Sequence, residues 1–170
     1  MERLLAAIGL MFLVYFSCFD LSYMVTSSMA PTLEAGEKER ADWVLTERIS
    51  LWFSNPRRWE VVTFRDREGN QLMKRVVGLP AETVSLPDVG RLEINGGWVE
   101  PPGHLAFLQY LPAGNLARGA SVPVREGWYV LGDHVRDSLD SRFDGPVPRQ
   151  RMLGRAWLRV WPLSRFGLIR

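Results

Sequence analysis

Glu60-Val61-Val62-Thr63-Phe64 and Gln71-Leu72-Met73-Lys74-Arg75-Val76-Val77 are the two runs whose reading decides the fold. Both are β-rich, and Asp66 to Asn70, with its Glu-Gly-Asn, reads as the turn between them. Working outward, Glu82-Thr83-Val84-Ser85-Leu86 and Arg91-Leu92-Glu93-Ile94-Asn95 continue the pattern. Gly96-Gly97 then forms a hairpin turn before Trp98-Val99. Trp128-Tyr129-Val130-Leu131 and Arg155-Ala156-Trp157-Leu158-Arg159-Val160-Trp161 complete the set. No long amphipathic helix follows residue 24, so the reading is all-β: a coiled antiparallel sheet or barrel-like domain. At 170 residues, without repeat or long linker, the chain has room for one principal unit and a short appendage.

That appendage is N-terminal. Leu4 to Phe19 reads LLAAIGLMFLVYFSCF, without a charge. Extended through Tyr23 it makes a helix of roughly 30 Å, the thickness of a hydrocarbon core. A removed signal peptide, a retained anchor and a buried core helix compete here. Removal would cut within or beside the Ser28 motif and separate it from its strand. Apolar residues on all sides argue against a helix lying on a soluble surface. The anchor is favoured, with Tyr15, Phe16, Phe19 and Tyr23 near the outer interface. Arg3 precedes it and Asp20, Glu34 and Glu37 follow, which points to a cytoplasmic N-terminus. The expected organisation is a short cytoplasmic stretch over 1–3, a transmembrane anchor over 4–23 and an extracytoplasmic catalytic domain over 24–170.

A net charge of +2 is too small to imply nucleic-acid binding. Arg149, Arg151, Arg155, Arg159, Arg165 and Arg170 nevertheless crowd the region after Arg142. They read either as a solvated surface or as a patch drawn to anionic headgroups. Cys18 is the single cysteine, and with His104 and His134 it makes no familiar zinc spacing, so no metal or other cofactor is expected. Trp52 and Phe53 form an aromatic stretch that belongs either to a core or to a rim dipping into a membrane interface.

The chemistry centres on two residues. Ser28 lies in the proline-ended run Thr26-Ser27-Ser28-Met29-Ala30-Pro31-Thr32-Leu33, close behind the apolar segment, and is a candidate nucleophile at a bilayer surface. Strand alternation places Leu72, Lys74 and Val76 on one face, so Lys74 is either a buried amine or a snorkelling surface residue. Burial disfavours the ammonium form and would turn this lysine into a general base for a serine. A Ser-His-Asp arrangement using His134 with Asp133 or Asp137 has the residue types, but adjacent Asp and His in loops are usually solvated.

Three ordered blocks carry a family resemblance: Ser28 to Leu33, Lys74-Arg75-Val76-Val77-Gly78-Leu79-Pro80, and Gly132-Asp133-His134-Val135-Arg136-Asp137-Ser138-Leu139-Asp140-Ser141-Arg142. Together with Gly145-Pro146-Val147-Pro148, Gly154-Arg155-Ala156 and Trp161-Pro162-Leu163, they resemble the boxes of bacterial type I signal peptidases (leader peptidases), membrane-bound Ser-Lys endopeptidases. The resemblance implies Ser28 as nucleophile and Lys74 as general base. It implies Ser138 as a hydroxyl orienting the lysine amine, and Asp140 and Arg142 as a charged pair bracing the loop, with Arg75 nearby. Thr26 would join the Ser28 N–H as oxyanion hole. Met29, Gln71 and Met73 are expected at the substrate, whose extended segment would add to strand edges near Ser22 to Val25 and Gln71 to Met73.

The implied partners are secretory preproteins and membrane lipid, with no nucleic acid, and the implied location is a bacterial plasma (inner) membrane. Two departures stand out: Trp59-Glu60 replaces the family's usual Gly-Asp, and His134 replaces its usual Asn. The rival readings are a self-cleaving Ser-Lys repressor-type protease and an inactive membrane-anchored β domain that binds preproteins or translocation components.

Overall fold

The computed structural model describes residues 1–134 and 136–170; Val135, within the third block, lies outside the described residues. Along the chain come α1 (Glu2–Cys18), β1 (Phe19–Tyr23), β2 (Trp43–Glu47), the one-turn α2 (Ser50–Phe53), β3 (Val61–Arg65) and β4 (Gln71–Gly78). There follow β5 (Glu82–Asp88), β6 (Arg91–Ile94), β7 (Gly97–Trp98), β8 (Ser121–Val124) and β9 (Tyr129–Leu131). The one-turn α3 (Ser141–Asp144), β10 (Met152–Trp161) and β11 (Gly167–Leu168) complete the order.

The helix expected through Tyr23 stops at Cys18. Phe19 turns extended, and residues 19–23 pair with β2 from Phe19↔Glu47 to Tyr23↔Trp43. The Arg48 N–H donates to the Cys18 carbonyl at 2.8 Å, closing the helix end. The ladder satisfies backbone groups that another helical turn would otherwise have had to pair. Among the described residues no helix is long and apolar enough to cross a membrane.

All pairings between strands are antiparallel. One sheet runs β1-β2-β10-β3-β4-β9 with β11 beside β10, and a smaller one runs β7-β6-β5-β8. The expectation of a barrel-like closure needs correction: β1 and β9 end the first path and β7 and β8 the second, so neither sheet closes on itself. β2 and β8 were absent from the expected strands. Pro123 hides β8 in the sequence, and proline is tolerated there because β8 is an edge.

β4 is the strand on which the interior is built. Leu72 and Val76 pack with Val62, Phe64, Trp128 and Val130. Met73 packs with Met24, Met29, Leu33 and Val61, while Val77 joins Val84, Leu86, Tyr129 and Leu131. Both faces of β4 are therefore covered, and an apolar run with Lys74 and Arg75 inside it is buried from Met73 onward.

Three of the crowded arginines after Arg142 are tied to carboxylates of the domain, while Arg170 stays exposed. Arg155 Nε donates to Glu60 at 2.7 Å, and Arg165 pairs with buried Asp42 at 2.9 Å. Arg159 lies 3.5 Å from the same Asp42 oxygen.

Gly154 in β10 sits so close to β2 that an added Cβ would stand 2.5 Å from Thr46 Cγ2 and 3.0 Å from the Glu47 carbonyl carbon. Backbone cannot yield there as a flexible side chain would. Gly154→Ala is expected to lose about 1–3 kcal/mol of stability by chemical denaturation; an unchanged midpoint would show that β2 and β10 can separate.

Candidate active site

Ser28 stands in a single 3-10 turn, Ser27–Met29, immediately after β1. Its loop is held from below by Met29 and Leu33, both fully buried. It is held from the side by the His134 N–H, which donates to the Ser28 carbonyl at 3.1 Å. Ser27 Oγ donates to Asp137 at 3.2 Å. Gly132 completes the contact, since a Cβ there would lie 2.5 Å from the Ser28 carbonyl oxygen and 2.6 Å from Ser138 Cβ. Only hydrogen fits between the two loops.

Lys74 projects from β4 opposite Val62 of β3 and is 2% exposed. Its Nζ donates to Ser28 Oγ at 2.6 Å. Thr26 Oγ1 lies 3.3 Å from the same Oγ. Burial is the chief cause that pulls the Lys74 pKa from 10.5 down to about 8; Asp140 and Asp133 oppose it and Arg142 assists. Of the two readings of its strand face, the buried one is the structure's.

Two buried ion pairs flank the lysine. Arg75, on the opposite face of β4, donates Nε and Nη2 to Asp133 at 2.8 and 2.6 Å. Its Nη1 also donates to the Trp59 carbonyl at 2.6 Å. Asp133 further accepts from Thr32 Oγ1 at 2.5 Å, which ties the ion pair to the serine loop. Asp140 takes Arg142 Nε and Nη2, both at 2.8 Å, along with the Gly132 N–H at 3.0 Å. A buried carboxylate so fully bonded is held rigid.

The expected site residues fall into groups. Ser28, Lys74 and Thr26 meet, and Asp140 with Arg142 forms the brace beside them. Ser138 is close, but its Oγ donates to Asp140 at 2.8 Å; among the described residues the lysine's side-chain hydrogen bond is the one to Ser28. The expected role of Ser138 on the amine is thus replaced here by a link to the brace. Gln71 and Met73 line a cleft of about 380 Å³ with Leu21 to Thr26, Ser28 and Lys74. Gln71 Nε2 crosses that cleft to Asp20 at 2.7 Å and Ser22 at 3.2 Å. Met29 does not line it, being wholly within the core beneath. A second cleft of about 670 Å³ opens on the other side of Ser28, past Asp66, Asn70, Asp137 and Leu139.

His134 contributes its backbone to Ser28, and the serine hydroxyl's partners are Lys74 and Thr26 rather than an imidazole. Trp59, where the resembling family has glycine, takes the left-handed conformation (φ 73°) that glycine prefers. Its N–H to Val76 and its carbonyl from Arg75 hold it there against that strain. Asp133, weighed in the sequence only as a partner of His134, is instead the counter-ion of Arg75. Its signal was Arg75 itself, since an arginine facing inward next to a buried lysine requires a carboxylate.

A family model described as signal peptidase, peptidase S26, matches residues 1–161. Signal peptidase I of Leptolyngbya laminosa is 35% identical over 163 residues, covering 87% of this chain and 71% of its own length. A probable signal peptidase I-2 of Synechocystis sp. is 32% identical over 158 residues, covering 88% and 66%. A solved signal peptidase I from Enterococcus faecalis superposes with a TM-score of 0.46 at 27% identity, over 60% of this chain and 97% of that one.

The depressed lysine has a consequence for stability. Below about pH 8 the folded state holds an ammonium in a dry site, and between about 8 and 10.5 it gives up a proton that the unfolded chain keeps. The resulting loss, on the order of 3 kcal/mol, is complete below the folded value of about 8 and vanishes as pH passes 10.5. Lys74→Met is therefore expected to be more stable than wild type at pH 7, with the gap closing above pH 10 in urea titrations. Equal stability at pH 7 would mean that the amine is well solvated.

Proposed function

The chain belongs to the signal peptidase S26 family, and we propose that it removes signal peptides from exported preproteins with Ser28 as nucleophile and Lys74 as general base. The observation that carries this reading is the 2.6 Å contact between Lys74 Nζ and Ser28 Oγ in a buried site that pulls the amine towards neutrality. A protonated lysine has three donors and no acceptor, so the base must be the neutral amine. It takes the hydroxyl proton as Oγ attacks the scissile carbonyl carbon. The negative charge developing on the carbonyl oxygen is met by the Ser28 N–H and Thr26 Oγ1. Collapse breaks the C–N bond as Lys74 returns the proton to the leaving amine, leaving an ester on Ser28. Water, deprotonated by the same lysine, hydrolyses that ester and restores the serine.

The cleft between Leu21–Thr26 and Gln71–Lys74 suits an extended segment, because β1 and β4 are not paired with each other and face it with strand backbone. Strand addition there would present alternate substrate side chains to the wall. Residues at −1 and −3 would share one side, and the preference proposed for that side is for small residues.

We further assign residues 24–170 as the catalytic domain, lying outside a bacterial plasma membrane and anchored by the N-terminal segment. Supporting this, Leu4, Leu5, Leu10, Leu13 and Phe16 of α1 are all exposed, an apolar surface that water disfavours. Trp52 and Phe53 are 64% and 83% exposed on α2, just after Arg48, whose N–H closes the end of α1. Aromatic side chains there would lie at the interface and bring Ser28 to where a signal peptide leaves the bilayer.

Preprotein processing by Ser28→Ala and Lys74→Ala is expected to fall at least a thousandfold with the fold retained. Substantial activity in Lys74→Ala would remove the lysine from its role. For the wild type, kcat/KM should rise about tenfold per pH unit below about 8 and level off above, as the ammonium gives way to the amine; a flat profile counts against the assignment. Replacing Trp52 and Phe53 together by Ser should slow cleavage in vesicles much more than cleavage of a soluble peptide, and equal losses would dismiss the interfacial rim.

A further inference from the structure

The serine loop is gripped on its far side by side chains that neither the ion pairs nor the cleft include. Asp42, fully buried between β1 and β2, accepts the Glu34 N–H at 2.8 Å and Arg165 Nη2 at 2.9 Å on one oxygen. Arg159 Nη1 approaches that oxygen to 3.5 Å. The same two guanidinium groups also reach the main chain that follows Ser28. Arg159 Nη1 donates to the Thr32 carbonyl at 2.9 Å, and Arg165 Nη2 donates to the carbonyls of Pro31 and Thr32, each at 3.3 Å. Arg159 Nε is bonded in turn to the Arg165 carbonyl. Arg165 Nη1 lies 3.7 Å from Glu34.

This arrangement is built around charge. Two guanidinium groups this close repel each other unless a carboxylate lies between them, and Asp42 supplies it in a dry site. Carbonyl oxygens of a loop cannot be held by such a pair without a planar fork, whose donors point in fixed directions. The grip lies three and four residues beyond Ser28, in a loop whose other end is pinned by the Ser28 carbonyl and whose middle is pinned by Met29 and Leu33. Motion of Pro31 and Thr32 would be carried to Ser28 and to Thr32 Oγ1, the partner of Asp133.

We propose that Arg165, acting with Arg159 on Asp42, is a positioning residue that sets where Ser28 Oγ sits relative to Lys74 Nζ by holding the Pro31 and Thr32 carbonyls. The proposal rests on the reading of Ser28 and Lys74 as the reacting pair. Neither arginine touches substrate in this scheme. Both act through the loop, so their removal changes turnover rather than binding.

Arg165 is one-third exposed, so Arg165→Lys keeps the charge and the fold but loses the fork. Arg159→Lys is the second variant, altering the other bond to Thr32. Steady-state cleavage of a signal-peptide substrate is measured beside Ser28→Ala, at temperatures where circular dichroism shows each protein fully folded. The expected result is a ten- to hundredfold fall in kcat for Arg165→Lys with KM within twofold, and a smaller fall for Arg159→Lys. Wild-type kcat in both lysine variants, with Ser28→Ala inactive, overturns the inference and leaves the proposed function standing. A loss that merely tracks the folded fraction on warming also overturns it. Activity in Ser28→Ala would instead strike down the reading on which it rests.

Discussion

A lysine amine that is 2% exposed and 2.6 Å from a serine hydroxyl must be kept from simply charging and pulling water in. Apolar side chains from β3, β4 and β9 remove the solvent, while the nearest carboxylates are already committed to arginines. Asp133 faces Arg75 and Asp140 faces Arg142, so each carboxylate is countered by a guanidinium before it can hold the lysine as a cation. This balance leaves the Lys74 pKa near 8 rather than at either extreme. Much of the remaining structure can be understood as the means of keeping that balance in place.

The two sheets divide the labour. The larger one carries Lys74 and Arg75 on successive residues of β4, which period-two geometry sends to opposite faces. One face meets the serine loop and the other closes on Asp133. The smaller sheet adds the apolar layer of Val84, Leu86 and Val124 against Val77 and Tyr129. β1, continuous with the serine loop, faces β4 across a gap that no strand fills among the described residues. The Gln71 side chain spans that gap to Asp20 and Ser22, which sets its width where the apolar helix ends.

Membership of the signal peptidase family gives this gap a natural occupant in the proposed reaction, an extended peptide emerging from an apolar stretch. The cleft starts at Leu21, just past the helix end at Cys18, whose carbonyl accepts the Arg48 N–H shortly before the exposed Trp52 and Phe53. Arg155, Arg159 and Arg165, which looked like part of a surface patch, turn towards Glu47, Glu60 and Asp42, which await them on β2, just before β3 and just before β2. Charge seen along a sequence says little about which way a side chain points on a twisted ladder.

Taken alone, the sequence determined the β-rich class, the turn over 66–70, the β3–β4 hairpin and the order of serine, lysine and aspartate blocks. These are local properties: alternation spans two residues, and turn chemistry spans four. It also pointed to Lys74 as a possible buried amine, since Leu72 and Val76 share its side of the strand. Whether that side was dry was not legible, nor was the pairing of Arg75 with Asp133, 58 residues away. The helix end at Cys18 was hidden as well, because it depends on β2 offering a ladder to residues that are equally apolar as helix. Tertiary structure alone decided burial, ion pairing and the grip on the Ser28 loop. Desolvation and Coulomb attraction act between neighbours in space, and only the folded sheets say which residues those are.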